Sequence, residues 1–178
     1  TVYVAGPRVP FSQEVVFFYY FLPVLLFPSW LCSLLHDVCL EHLEHKEPRV
    51  RTLVAQCVGA YLSTDTSHAA AMHERLTGSI REHIVQGRDQ IESYSRSSTG
   101  ALDDTTGWRA LETSWLCLAS LIQALGKNYF ALFPLQAEEE YRLQDCQYSC
   151  VTHVNRHVRA AALAGLEQWV KSAESEAQ

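Results

Sequence analysis

Apolar residues recur at helical spacing through most of the chain. Between residues 48 and 62 they follow the i, i+3, i+4, i+7 pattern of one helix face, with Arg49 and Arg51 expected to point away from it. Pro48 suits the first turn, where its missing N–H costs nothing. The same spacing predicts further helices over about 28–46, 67–95 and 107–125, after Pro134 to about residue 152, and from the cap Asn155 onwards. No run alternates with period two, so the predicted fold class is all-α.

The run from Val15 to Leu35 has no charged residue and is long enough to cross a bilayer. Pro23 and Pro28 interrupt it, and each removes a backbone donor that hydrocarbon does not replace. Because no cluster of Lys or Arg flanks the run, we favour an apolar segment packed against protein. Membrane contact through residues 15–35 is the alternative. In either case its large side chains are predicted to bind a partner: Phe17, Phe18, Tyr20, Phe21, Phe27 and Trp30.

Two stretches of the sequence resemble each other. "PRVRTLVAQCVGAYL" at 48–62 aligns with "RHVRAAALAGLEQWV" at 156–170, so that the pair Val50–Arg51 matches Val158–Arg159. The offset suits two or three repeat units of about 40 residues with an inserted loop, each unit a helix, a short turn and a second helix. A helical bundle in which the Val-Arg pair recurs by chance is the alternative.

Residues 107–114 and 153–161 resemble segments of a known group of repeat proteins. "GWRALETS" at 107–114, followed by "HVNRHVRAA" at 153–161, resembles a little-characterised group of eukaryotic HEAT/armadillo-repeat proteins over roughly residues 44–170. The sequence departs from that group at Ala160 and Ala161, where an acidic residue followed by a small one is usual. The resemblance implies antiparallel helix pairs stacked as a short α-solenoid, with no assigned activity. It implies repeat-stacking roles for Arg51, Trp108, Trp115 and Arg159.

The predicted organisation has three parts. Residues 1–27 form an apolar N-terminal segment that packs on or extends the solenoid, residues 28–172 form the helical repeats, and residues 173–178 form a polar tail. The Ser-, Thr- and Gly-rich stretch near 96–106 predicts an exposed loop between repeats.

Composition narrows the class of partner. The formal charge is −6 with acidic and basic residues interleaved, which argues against nucleic acid, since phosphate binding needs clustered Lys and Arg. Most of the six cysteines lie within apolar helical patterns, which is typical of a reducing compartment and favours cytoplasm or nucleus. An organellar or membrane-associated complex is the alternative location. The acidic run at 138–140 predicts a solvated helix face, or a contact for a basic partner.

Candidate metal chemistry is restricted to two groups of Cys and His. Residues 36–45 place His and Cys at steps of three, which rotate around a helix and do not share one face. The better group is Cys146, Cys150, His153 and His157, but it lacks the long gap of a closed Cys₂His₂ zinc site. The sequence also has no nucleophile elbow and no phosphate-binding glycine loop, so we predict neither a cofactor nor an enzyme.

The sequence therefore predicts a non-enzymatic helical-repeat scaffold or adaptor that binds another protein. The alternative is a structural subunit that is stably integrated in a large, membrane-associated assembly through the apolar N-terminus.

Overall fold

A computed structural model describes residues 37–94, 107–134 and 143–176, and these residues form helices and turns without a strand. The predicted all-α class is therefore confirmed over this part of the chain. Residues 37–41 are helical. The bounded helices are α1 (Pro48–Leu62), α2 (Ala69–Tyr94), α3 (Trp108–Leu125), α4 (Tyr129–Leu132), α5 (Leu143–Val151) and α6 (Arg156–Glu176), with a 3₁₀ turn at Gly126–Asn128.

Three predicted helix ends are confirmed. Pro48 lies in the first turn of α1. The Asn155 side-chain oxygen accepts a hydrogen bond of 2.8 Å from the His157 N–H, which satisfies one free donor at the start of α6. Gly126 is the C-cap of α3, at a positive φ of 53° that favours glycine.

Helix α3 is the element on which the other helices pack. It contacts α1, α2 and α6, and buried residues lie around most of its circumference. A helix that is apolar on nearly every side is stable only when protein surrounds it. Its buried hydroxyls are satisfied, since Thr113 donates to the Arg109 carbonyl at 2.7 Å and Ser114 donates to the Ser79 hydroxyl at 3.0 Å.

The contacts fix the helix directions. Arg51 contacts Glu112, and Gly59 approaches Ser120, so both pairs are separated by 61 residues and α1 runs parallel to α3. Helix α6 is also parallel to α3, because His157 meets Trp108 near the start of both helices and Gly165 meets Trp115 further along.

Helix α2 runs in the opposite direction to α3. Gly107 lies against His83 and Ser114 bonds to Ser79, so contacts advance along one helix as they recede along the other. Gly107 has a φ of 79°, and a Cβ on it would overlap the His83 ring. This glycine is therefore required both by its backbone conformation and by the close approach of α2.

Several boundary predictions are wrong or lie outside the described residues. The helix predicted over 28–46 ends at residue 41. Of the helix predicted after Pro134, the structure describes α5, while residues 135–142 lie outside the described residues, and the short helix α4 before Pro134 was not predicted. The predicted loop near 96–106, the acidic run at 138–140 and the segment 1–27 lie outside the described residues.

Gly165 and Gly78 give a matched test of the α3–α6 packing. A Cβ at Gly165 would lie 3.0 Å from Cε3 of Trp115, whereas a Cβ at Gly78 would meet nothing within 4 Å. We expect Gly165→Val to lower the free energy of unfolding by about 1–3 kcal/mol through overpacking. Gly78→Ala should raise it by about 0.5–1 kcal/mol through helix propensity. Urea unfolding of both variants tests this, and equal effects would contradict the close approach of α6 to Trp115.

Candidate functional site

A cluster of polar side chains lies where α1, α3 and α6 begin. We call this group of Arg51, Trp108, Glu112 and His157 the junction cluster. Glu112 lies near the start of α3, and its side chain is largely buried. Arg51 donates to the Glu112 Oε2 from Nε at 3.0 Å and from Nη2 at 2.8 Å. The forked guanidinium therefore holds one carboxylate oxygen with two charge-assisted bonds.

Arg51 also closes the turn that precedes its own helix. Its Nη1 donates to the carbonyl oxygens of His45 at 2.8 Å and Lys46 at 3.2 Å. In the same turn the Glu47 N–H donates to Nδ1 of His45 at 3.1 Å. The prediction that Arg51 points away from the buried face is wrong, because the side chain is only 2% exposed. The turn carbonyls and the carboxylate together satisfy its buried donors.

The turn before α6 has the same hydrogen bonds. Nη1 of Arg159 donates to the carbonyl oxygens of His153 at 2.7 Å and Val154 at 2.8 Å. The Asn155 N–H donates to Nδ1 of His153 at 3.0 Å. Each arginine thus bonds to the carbonyls five and six residues before it, and each histidine accepts from the N–H two residues after it. We call this arrangement the arginine-anchored turn.

His157 and Trp108 extend the junction cluster to α6. His157 Nδ1 lies 3.9 Å from the Glu112 Oε1, which makes an ion pair when the imidazole is protonated. The His157 ring stacks on Trp108 at a centroid distance of 5.7 Å. The Trp108 ring also lies 5.3 Å from the Arg51 guanidinium carbon and 4.8 Å from that of Arg109, within cation–π range. Glu112 and Trp108 therefore join the starts of three helices.

The four residues predicted to stack repeats occupy different environments. Arg51 and Trp108 belong to the junction cluster, and Arg159 anchors the turn before α6. Trp115 is fully buried further along α3, against Gly165. Sequence reasoning missed the roles of Glu112, His45 and His153. A histidine six residues before each Val-Arg arginine was the available signal for the two turns.

The zinc candidates are not brought together. Cys146 and Cys150 are buried in α5, where burial raises the pKa of Cys150 to about 12, partly offset by contact with Trp115. His153 serves the anchored turn, and His157 stacks on Trp108. Across the described ranges, no three His, Cys, Asp or Glu side chains are grouped to hold a metal ion.

A second polar contact lies between α2 and α4. Nε2 of His73 is 3.1 Å from the Tyr129 hydroxyl, and the His73 ring stacks on Phe133 at 4.0 Å. Burial, with a smaller contribution from the charge of Arg81, lowers the pKa of His73 to about 4. Burial raises the pKa of Tyr129 to about 12. Both groups are therefore neutral near pH 7.

The predicted partner-binding residues, Phe17 to Trp30, and the whole run 15–35 lie outside the described residues. Among the helices that are described, none combines the length and the apolar character needed to cross a bilayer.

Comparison with known proteins gives no relative: no family model matches the chain, and no curated protein or solved structure matches it significantly.

Arg51 and Arg159 give a matched test of the junction cluster. Arg51→Ala leaves the buried Glu112 without its cation, so we expect it to lower the free energy of unfolding by about 3 kcal/mol. Arg159→Ala removes bonds to two backbone carbonyls only and should cost about 1 kcal/mol. Urea unfolding measures both. Equal losses would show that the Arg51–Glu112 pair adds nothing to the turn bonds.

The lowered pKa of His73 predicts acid sensitivity. Between about pH 6.5 and pH 4 the unfolded chain binds a proton at His73 that the folded chain does not, so the free energy of unfolding falls as the pH falls. The contribution is at most about 1.4 kcal/mol per pH unit. His73→Gln, which keeps a hydrogen-bonding partner for Tyr129, should remove the pH-dependent contribution of His73 to the free energy of unfolding. Unfolding of both proteins at pH 4.5, 5.5 and 7.5 tests it; a difference between them that does not change with pH would contradict it.

Proposed function

We propose that this chain is a non-enzymatic helical-repeat scaffold, built from stacked antiparallel helix pairs of the HEAT type, that binds another protein. The observation that carries the proposal is the arginine-anchored turn, which occurs twice with the same donors, acceptors and spacing. Stacked repeats complete one another's cores and leave extended helix surfaces for partners. The proposed place of action is the cytoplasm or nucleus, supported by the buried free thiols.

Helix directions support this proposal independently. Helices α1, α3 and α6 run parallel, while α2 runs against α3. Such an order arises when each unit contributes one helix to each of two layers and the units follow one another along an axis. The resemblance of residues 107–114 and 153–161 to HEAT/armadillo-repeat proteins points the same way.

The second candidate is a structural subunit held permanently in a large, membrane-associated assembly. The uncharged run from Val15 to Leu35 favours it, because an apolar sequence of that length is enough to cross a bilayer core. The two candidates differ in the state of the protein in cells: an adaptor exchanges between free and bound pools, and an integral subunit does not.

Native size after mild cross-linking separates the two candidates. Cells that express the tagged full chain at low level are cross-linked, lysed without detergent, separated into soluble and membrane fractions, and sedimented. The scaffold proposal predicts a soluble species near 20.1 kDa together with larger species cross-linked to another protein.

Protein found only in membranes, or only in one large species that does not exchange, would favour the integral subunit. Protein that sediments only as a 20.1 kDa monomer, with no cross-linked partner, would contradict both candidates.

A further inference from the structure

Helix α6 has an exposed apolar stripe, whereas the residues at the matching positions of α1 are buried. Leu163, Leu166 and Val170 are 53%, 39% and 50% exposed. The anchored turns place them level with Ala55, Val58 and Leu62 of α1, which are 5%, 1% and 0% exposed. The buried α1 positions face α3, which runs parallel to α1. No described helix therefore covers the face of α6 that corresponds to the α3-binding face of α1.

Among the described residues, the arginine on this face has no carboxylate partner. Arg51 uses Nη1 for its turn and uses Nε and Nη2 for Glu112 of the covering helix. Arg159 uses Nη1 for its turn in the same way, but among the described residues Nε and Nη2 make no contact with a carboxylate. The half-buried Arg159 therefore presents two donors beside the apolar stripe.

We propose that the α6 face formed by Arg159, Leu163, Leu166 and Val170 binds an amphipathic helix of a separate protein, which runs parallel to α6 and carries a carboxylate near its first turn. The carboxylate bonds to Nε and Nη2 of Arg159, as Glu112 bonds to Arg51. The apolar side of the bound helix covers the three exposed residues. This inference rests on the proposed scaffold function and names the surface and the kind of partner.

The sizes of the side chains on α6 restrict which residues the bound helix can have. In the α1–α3 register Ala55 lies level with Leu116, and Gly59 lies against Ser120. On α6 the matching positions hold the larger residues Leu163 and Glu167. A helix that binds α6 at a similar distance therefore needs small residues at both levels, one turn and two turns after its carboxylate.

A peptide based on residues 107–126 is the probe for this face. It keeps the residues of α3 that face α1, including Trp108, Glu112 and Ser120, has Leu116→Ala to accommodate Leu163, and has Gln at the apolar positions that face α2 and α6 in the fold. Fluorescence anisotropy measures its binding to the full chain. We expect saturable binding that Leu166→Asp weakens at least about tenfold, since a charge then lies in the apolar stripe. Val85→Asp is the matched control, because Val85 has the same 39% exposure but lies on α2.

Charge exchange tests the role of Arg159. Arg159→Glu should weaken binding of the peptide at least about fivefold, and a peptide with Glu112→Arg should bind that variant better than it binds the unchanged chain. Arg49→Glu, the same change of charge at an exposed residue of α1, should have no effect. Binding that is insensitive to both Leu166→Asp and Arg159→Glu would overturn the proposal, as would no binding at about 1 mM peptide.

Two further outcomes distinguish a failure of this proposal from a failure of the proposed scaffold function. If the full chain self-associates and Leu166→Asp abolishes that association, a second copy is the occupant and the proposal is wrong. If cellular cross-links to another protein are found on other helices while the peptide does not bind, the scaffold function stands and the α6 face is not its site.

Discussion

The Arg51 guanidinium makes the contact on which the rest of the described structure depends. One of its nitrogens bonds to two carbonyls of the turn before α1, and two others bond to Glu112 of α3. A buried carboxylate is tolerated only with such partners, because its desolvation is costly. These bonds join the turn before α1 to the start of α3, and together with the approach of Gly59 to Ser120 they define the direction and register of α1 on α3. The same carboxylate faces His157, so the start of α6 is joined to the same point.

Local signals in the sequence predicted the elements better than their contacts. Pro48, Gly126 and Asn155 act within one turn of their own helix, and all three predicted ends are confirmed. The helical spacing predicted that Arg51 points away from the apolar face of α1, whereas its burial depends on Glu112, 61 residues away. The helical spacing of apolar residues does not predict a partner so far away in the sequence. The short helix α4 before Pro134 was also missed, since its four residues are too few to show a helical period.

The two anchored turns connect the fold with the proposed function. Where α1 has a covering helix, its arginine has a carboxylate and its apolar stripe is buried. Where α6 has none among the described residues, its arginine keeps two donors and its stripe is exposed. The proposed binding surface rests on this difference between two otherwise similar helices, since isolated exposed Leu and Val residues are ordinary on protein surfaces. Scaffold proteins bind through such repeated surfaces, and no catalytic chemistry is needed for them to act.

Native-state hydrogen exchange, followed by mass spectrometry, tests most directly whether α3 is the element that holds α1, α2 and α6 together. We predict that the backbone amides of Leu111–Leu125, which are bonded within α3, exchange only through global unfolding, so their opening free energy equals that from urea unfolding. Amides of α5, which packs mainly on α6, should exchange through smaller openings. If α3 exchanged as fast as α5 while α1 or α6 remained protected, the central role of α3 and of its Glu112 would be contradicted.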